Sequence, residues 1–175
     1  MIDAMAGRMA AGIKKRSPEH PASLEVLKHS LAILINTFSI MVLSLVIGLV
    51  TRRVSEVIVV LVAFALLRMV SGGLHLKSGT WCVIVTTLGV SVLSQVALIP
   101  VIVAWITTIS LVLAAIFSPT DLRKQSRISV RFYPLLKVIS VVMVASNYFF
   151  SSSTIAVSFL LQTLLLIPWK VVDNK

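Results

Sequence analysis

Residues 31–50 read LAILINTFSIMVLSLVIGLV, twenty consecutive residues without a charge. At the rise of an α-helix this length covers roughly 30 Å, the thickness of the hydrocarbon layer of a bilayer. A helix closes its backbone hydrogen bonds within itself, as a segment at that depth must, so the stretch reads as a membrane span. Working outward from it, apolar windows follow at 54–70, 82–99, 101–118, 135–150 and 152–168, which makes six candidate spans of 16 to 20 residues. The second and fifth windows are short, near the lower limit of about 17 residues for a crossing. Thr51-Arg52-Arg53, Ser71-Gly72-Gly73, Pro100 and Ser118-Pro119 punctuate the windows, and Ser151-Ser152-Ser153 joins the last pair.

Composition agrees with this reading. Of 175 residues, 58% are hydrophobic and 13% charged, and the mean hydropathy is +1.03. That fraction excludes a soluble domain, whose surface needs charge, and a disordered chain, which lacks apolar residues. A single Cys excludes a disulfide scaffold, and three scattered His with it argue against a structural zinc site or any metal centre. The expected fold is all-α, a polytopic membrane bundle of six transmembrane helices preceded by an amphipathic interfacial helix. We expect one domain over 1–175, with 1–30 as the interfacial segment, 31–168 as the bundle and 169–175 as a cytoplasmic tail.

The net charge of +10 would point a soluble protein toward nucleic acid. Here the basic residues gather between apolar windows, the pattern of loops facing cytoplasm and anionic lipid. Five precede the first window (Arg8, Lys14, Lys15, Arg16, Lys28) and five lie in the loop and first turn of the fifth (Arg123, Lys124, Arg127, Arg131, Lys137). Arg68 and Lys77 flank the Gly-Gly loop, and Lys170 and Lys175 close the chain. Only Arg52 and Arg53 fall on the opposite side, a bias of 14 to 2. Six crossings then place both termini, the Gly-Gly loop and the long basic loop in the cytoplasm, for a multi-pass protein of the cytoplasmic membrane.

Residues 1–16 have no secretory h-region. At 100° per residue Ile2, Met5, Met9 and Ile13 share one arc, and Asp3, Arg8, Lys14 and Lys15 lie outside it. That is the pattern of a helix lying in the lipid interface, and Pro18 and Pro21 end it.

Ionisable groups inside spans are expensive and therefore informative. Glu56 and Lys137 lie close to span ends, within reach of the interface by snorkelling. Arg68 is either an interfacial anchor or a group that orients a carboxylate or carbonyl. The most informative stretch is 68–82, RMVSGGLHLKSGTWC, which holds the sole Cys and, seven residues before it, His75. A neighbouring imidazole can take the proton of a thiol, so Cys82 and His75 form a candidate nucleophile and base. In one continuous helix that spacing would separate them by about 10.5 Å along the axis, so the helix must break between them. Gly79 permits the turn and Thr80 is a plausible cap for a helix beginning near Trp81 or Cys82. Unpaired amides of such a first turn favour a thiolate and can hold an oxyanion. Gly72 and Gly73 either let a substrate backbone approach or simply form a loop. His20 and His29 read as interfacial.

These residues carry a resemblance. Arg68, then Gly72-Gly73-x-His75, then Cys82, after a short apolar span in a six-span chain of this length, is similar to the accessory gene regulator B (AgrB) family of quorum-sensing membrane peptidases. Ser118-Pro119-Thr120-Asp121 before a basic loop resembles the family's later loop. The resemblance implies a cysteine endopeptidase with Cys82 as nucleophile and His75 as base. It implies cleavage of an AgrD-like precursor peptide and its cyclisation through an acyl-enzyme thioester into a thiolactone or lactone signal. No cofactor is implied, and the family's dimerisation implies a homodimer. Arg68, Gly72 and Gly73 would support substrate, and Arg123, Lys124, Arg127 and Arg131 would attract the acidic tail of the precursor. The pattern leaves the third member of a triad open among Ser71, Ser78 and Asp121. A different class of function, a small transporter or channel subunit, would have Asn36, Gln95, Asn147 and Gln162 line a polar path with Arg68 as its gate.

Overall fold

The computed structural model describes residues 2–19, 21–73, 79–120 and 130–167. Among these residues the regular elements are helical, apart from one isolated bridge between Gly72 and Thr120. In chain order they are α1 (Ile2–Arg16), α2 (Leu24–Thr51), α3 (Val54–Ser71), α4 (Gly79–Leu93) and α5 (Pro100–Phe117). A 3-10 turn (Val130–Phe132) then leads into α6 (Tyr133–Ala145), α7 (Asn147–Phe150) and α8 (Ser153–Leu164).

Each apolar window holds one helix, the fifth holding α6 and α7 in tandem, so the all-α membrane class stands. The lengths differ from those expected. Among the described residues, four stretches are long and apolar enough to cross a membrane: α2, α3, α5 and the run Tyr133–Phe150. The second and fifth windows, read as short, thus reach 18 residues each. The third and sixth shrink, to 15 residues in α4 and 12 in α8. Proline sets where the next helix begins: Ile99 is extended (φ −69°, ψ 149°), as a residue preceding proline prefers, and α5 starts afresh at Pro100, after α4 has already ended at Leu93. Apolar residues 94–99 therefore carry the hydropathy of the window without its helix. α2 departs the other way, beginning at Leu24 because Ser23 caps it and accepts the Val26 N–H at 3.3 Å. It ends where Arg52 turns left-handed (φ 57°) and donates its N–H to the Gly48 and Leu49 carbonyls.

The chain packs as two units, one of residues 1–52 and 75–91, the other of 53–74 and 92–175. In the first, α1 lies against α2 with Ile2, Ala6 and Ala10 buried. The two alanines, one turn apart, let the backbones approach closely. Met5 and Met9, expected on the same apolar face, remain about half exposed at 51% and 48% and flank the contact, apolar groups left over for the lipid interface. Ile2 also meets the start of α4, its Cγ2 lying 3.4 Å from where a Cβ on Gly79 would stand.

The second unit gathers α3, α5, α6 and α8 around Leu67, Ala114, Val144 and Phe159. Polar contacts close it at both ends. At one, the Asn147 amide donates to Thr107 Oγ1 (3.0 Å) and the Ser152 carbonyl (3.3 Å), and its oxygen accepts the Ser152 N–H (3.2 Å). There too Ser153 Oγ accepts the Leu98 N–H at 3.0 Å. At the other end Ser118 Oγ donates to Ser140 Oγ (3.0 Å), and Gln162 reaches the end of α3. α3, α5 and α8 finish where α6 starts, the alternation that successive crossings require. Trp105, Tyr148 and Phe149 are exposed at the Asn147 end, the residue types of a membrane–water interface.

Candidate active site

Cys82 is the fourth residue of α4 as described, half-buried, with its Sγ 4.0 Å from the Thr86 hydroxyl one turn on. Because α4 includes Gly79 and Thr80, Thr80 lies inside the helix and is not its cap, and the first turn is set earlier than the sequence implied. The neighbouring Trp81 is 62% exposed, an amphipathic ring suited to a headgroup region. α3 stops at Ser71, and the break expected between His75 and Cys82 would have to precede Gly79, outside the described residues. His75 lies outside the described residues, together with Lys77 and Ser78.

The Gly-Gly step belongs to the second unit, where its geometry is closely determined. Gly72 (φ 74°) and Gly73 (φ 115°) both take positive φ, a region that a side chain disfavours. Gly72 donates its N–H to the Arg68 carbonyl at 2.9 Å and closes α3. Gly73 donates to the Thr120 carbonyl (3.1 Å) and Thr120 donates to the Ser71 carbonyl (3.0 Å), so the segment after α3 runs parallel to the segment after α5. Thr120 is fixed in turn by a hydroxyl bond to the Phe117 carbonyl. Both glycines are buried, and a Cβ on Gly73 would stand 3.2 Å from the Leu165 carbonyl oxygen and 3.4 Å from Gln162 Nε2. Lack of a side chain at Gly73 therefore serves the chain's own close packing.

Gln162 completes the joint. Fully buried on α8, it donates through Nε2 to the Gly72 carbonyl at 2.7 Å and to Ser71 Oγ at 3.1 Å. Its orientation is forced, because a carbonyl such as that of Gly72 accepts only and must meet the amide nitrogen. Ser71 Oγ also donates to the Leu67 carbonyl at 2.7 Å, which commits the hydroxyl to the joint. The sequence marked Gln162 only as a polar residue in an apolar window. Nothing local points to a partner 91 residues away.

The other candidates are dispersed. Arg68 sits in the last turn of α3, half-buried, its guanidinium 5.8 Å from the centre of the Phe64 ring. Arg131 is exposed on the 3-10 turn, whereas Arg123, Lys124 and Arg127, with Asp121, lie outside the described residues. Glu56 pairs with Arg53 at 3.2 Å near the start of α3, an interfacial ion pair. Asn147 and Gln162 occupy opposite ends of the second unit and are hydrogen-bonded within it, an arrangement of structural knots.

Neither the curated proteins nor the solved structures contain a match to the chain. The family model described as accessory gene regulator B matches residues 6–169, nearly the whole length. Helices that suit a bilayer, a buried Gly-Gly turn ahead of the sole Cys, and this match lead to one conclusion: the chain belongs to the accessory gene regulator B family, membrane proteins of agr quorum sensing.

Proposed function

We propose that the protein is a cysteine endopeptidase of the cytoplasmic membrane that cleaves an AgrD-like precursor peptide and cyclises it. The observation that carries this reading is the placing of the chain's sole Cys at the fourth residue of an apolar helix, seven residues after His75. Amides at a helix start have no carbonyl partner within the helix and accept negative charge.

The chemistry follows from these groups. His75 takes the proton of Cys82, and Sγ attacks the carbonyl carbon of the scissile peptide bond. Negative charge grows on the carbonyl oxygen, where first-turn amides of α4 stabilise it. The C–N bond breaks, the imidazolium returns its proton to the leaving amine, and the N-terminal part of the peptide stays on Cys82 as a thioester. A thiol or hydroxyl of the same peptide then attacks the thioester carbonyl, His75 again taking the proton, and Cys82 leaves as the ring closes. The membrane edge keeps water from the acyl-enzyme, which would otherwise hydrolyse. Arg68 supports the substrate segment, the buried Gly72 and Gly73 shape the end of α3 ahead of His75, and Arg123, Lys124, Arg127 and Arg131 draw in the acidic tail of the precursor. Both termini and the site face the cytoplasm, and the protein works as a homodimer.

The test is co-expression with a short precursor peptide that has an amphipathic stretch, a central Cys or Ser and an acidic tail, sought among the reading frames beside the gene. Mass spectrometry should find a cyclic product with the wild type and intact precursor with Cys82→Ala or His75→Ala. Processing by both variants overturns the mechanism.

A further inference from the structure

We propose that Gln162 is a positioning residue for the reaction, acting from the last helix through the Gly72–Gly73 joint on the segment that carries the base. The inference rests on the peptidase reading above. Gly73 is two residues before His75 in sequence, so the joint fixes the described chain end from which the base-bearing segment departs.

Among the described residues three contacts set that direction, all within the second unit. Gln162 Nε2 holds the Gly72 carbonyl at 2.7 Å from below. Thr120 holds both sides of Gly72 through the Ser71 carbonyl and the Gly73 N–H, at 3.0 and 3.1 Å. Leu165 and Leu166 fill the place where Gly73 would have a Cβ. The only side chain in this set that donates to the joint is that of Gln162. At positive φ the Gly72 peptide has ready alternatives, and removal of this bond frees its carbonyl to rotate.

A second feature separates Gln162 from an ordinary packing residue. Its Oε1 is buried and has no hydrogen-bond partner among the described residues. A hydrophobic side chain at this place would avoid an unsatisfied acceptor in the interior. The amide is thus kept for what its nitrogen does at Gly72. Thr120 immediately precedes the basic loop of 121–129, so the same joint sets the starting points of the base-bearing and the tail-binding segments side by side.

The test uses full-length protein in nanodiscs with the synthetic precursor. Gln162→Met keeps length and apolar packing and removes the donor; Gly73→Ala disturbs the same joint independently, by strain at φ 115° and by crowding Leu165. Both variants are expected to lower kcat about 100-fold with KM unchanged, the effect of a small displacement of a catalytic group. Hydrogen exchange at the Gly73 and Thr120 amides should quicken while that of the Val144 amide in the core does not. Faster exchange at the joint with wild-type kcat overturns the positioning role, as does unaltered exchange at the joint. Loss of core protection as well would make Gln162 a folding residue and also overturn it. A wild type that fails to cleave the precursor defeats the peptidase reading itself, a result told apart because it precedes any comparison of variants.

Discussion

Asn147 and Gln162 are both fully buried amides at 0% exposure, one at each end of the second unit, and they are satisfied differently. Asn147 uses both its nitrogen and its oxygen, tying α5, α7 and the turn before α8 together. Gln162 uses its nitrogen alone and leaves an oxygen without a partner among the described residues. An unsatisfied buried acceptor costs about 1–3 kcal/mol, so the Gln162 end is less well optimised for stability. The fully paired amide is at the end remote from the glycines, and the half-paired one is bonded to them. The Asn147 end is the better paired, and the Gln162 end fixes the backbone at the glycines.

The contrast is broken or sharpened by substitution. The largest effect belongs to Cys82→Ala, which should abolish cyclic product to background while membrane levels and thermal stability hold, as measured by mass spectrometry and by melting in detergent. Loss of stability with activity would place Cys82 among packing residues. Next come the variants of the glycine joint, with their loss of turnover and retained core protection. Asn147→Ala should behave in the opposite sense. It leaves Thr107 Oγ1 and the Ser152 backbone without their partner and is expected to lower stability by about 2 kcal/mol, with turnover per folded molecule unchanged. A melting measurement paired with the cleavage assay separates the two. The smallest effect is expected from Tyr148→Phe, which removes the exposed 2.7 Å bond to Thr108, worth about 0.6 kcal/mol. An equal loss from Tyr148→Phe and Asn147→Ala would show that burial does not set the value of these bonds.

Orientation has its own check. A single thiol introduced by Ser78→Cys in a Cys82→Ala background should react with an impermeant reagent only from the cytoplasmic side. Labelling from outside would reverse the topology read from the 14 to 2 charge bias.

Much of the fold was legible because a membrane makes burial one-dimensional. The windows found α3 to within a residue or so at each end, from 54–70 to Val54–Ser71, since charge and Gly-Gly bound it on both sides. They overextended α4 and α8, because hydropathy counts side chains and is blind to where the backbone stops being helical. On α1 the period was right and the packed face shifted, Ala6 and Ala10 displacing Met5 and Met9 from the contact. Small residues are weak in a hydrophobic count and strong where backbones must come close.

By itself the sequence determined that this chain lives in a bilayer, where its helices divide, which loops carry positive charge, and that one Cys follows one His by seven residues, behind a Gly-Gly pair. Those properties depend on neighbours in the chain, and periodicity and composition express them. Only the tertiary structure decided that Gly72 and Gly73 are buried, that Thr120 runs beside them, and that Gln162 on the last helix holds the Gly72 carbonyl. A hydrogen bond between residues 90 positions apart leaves no local pattern. It exists because four packed helices bring their ends to one place, and a buried amide there must find a partner.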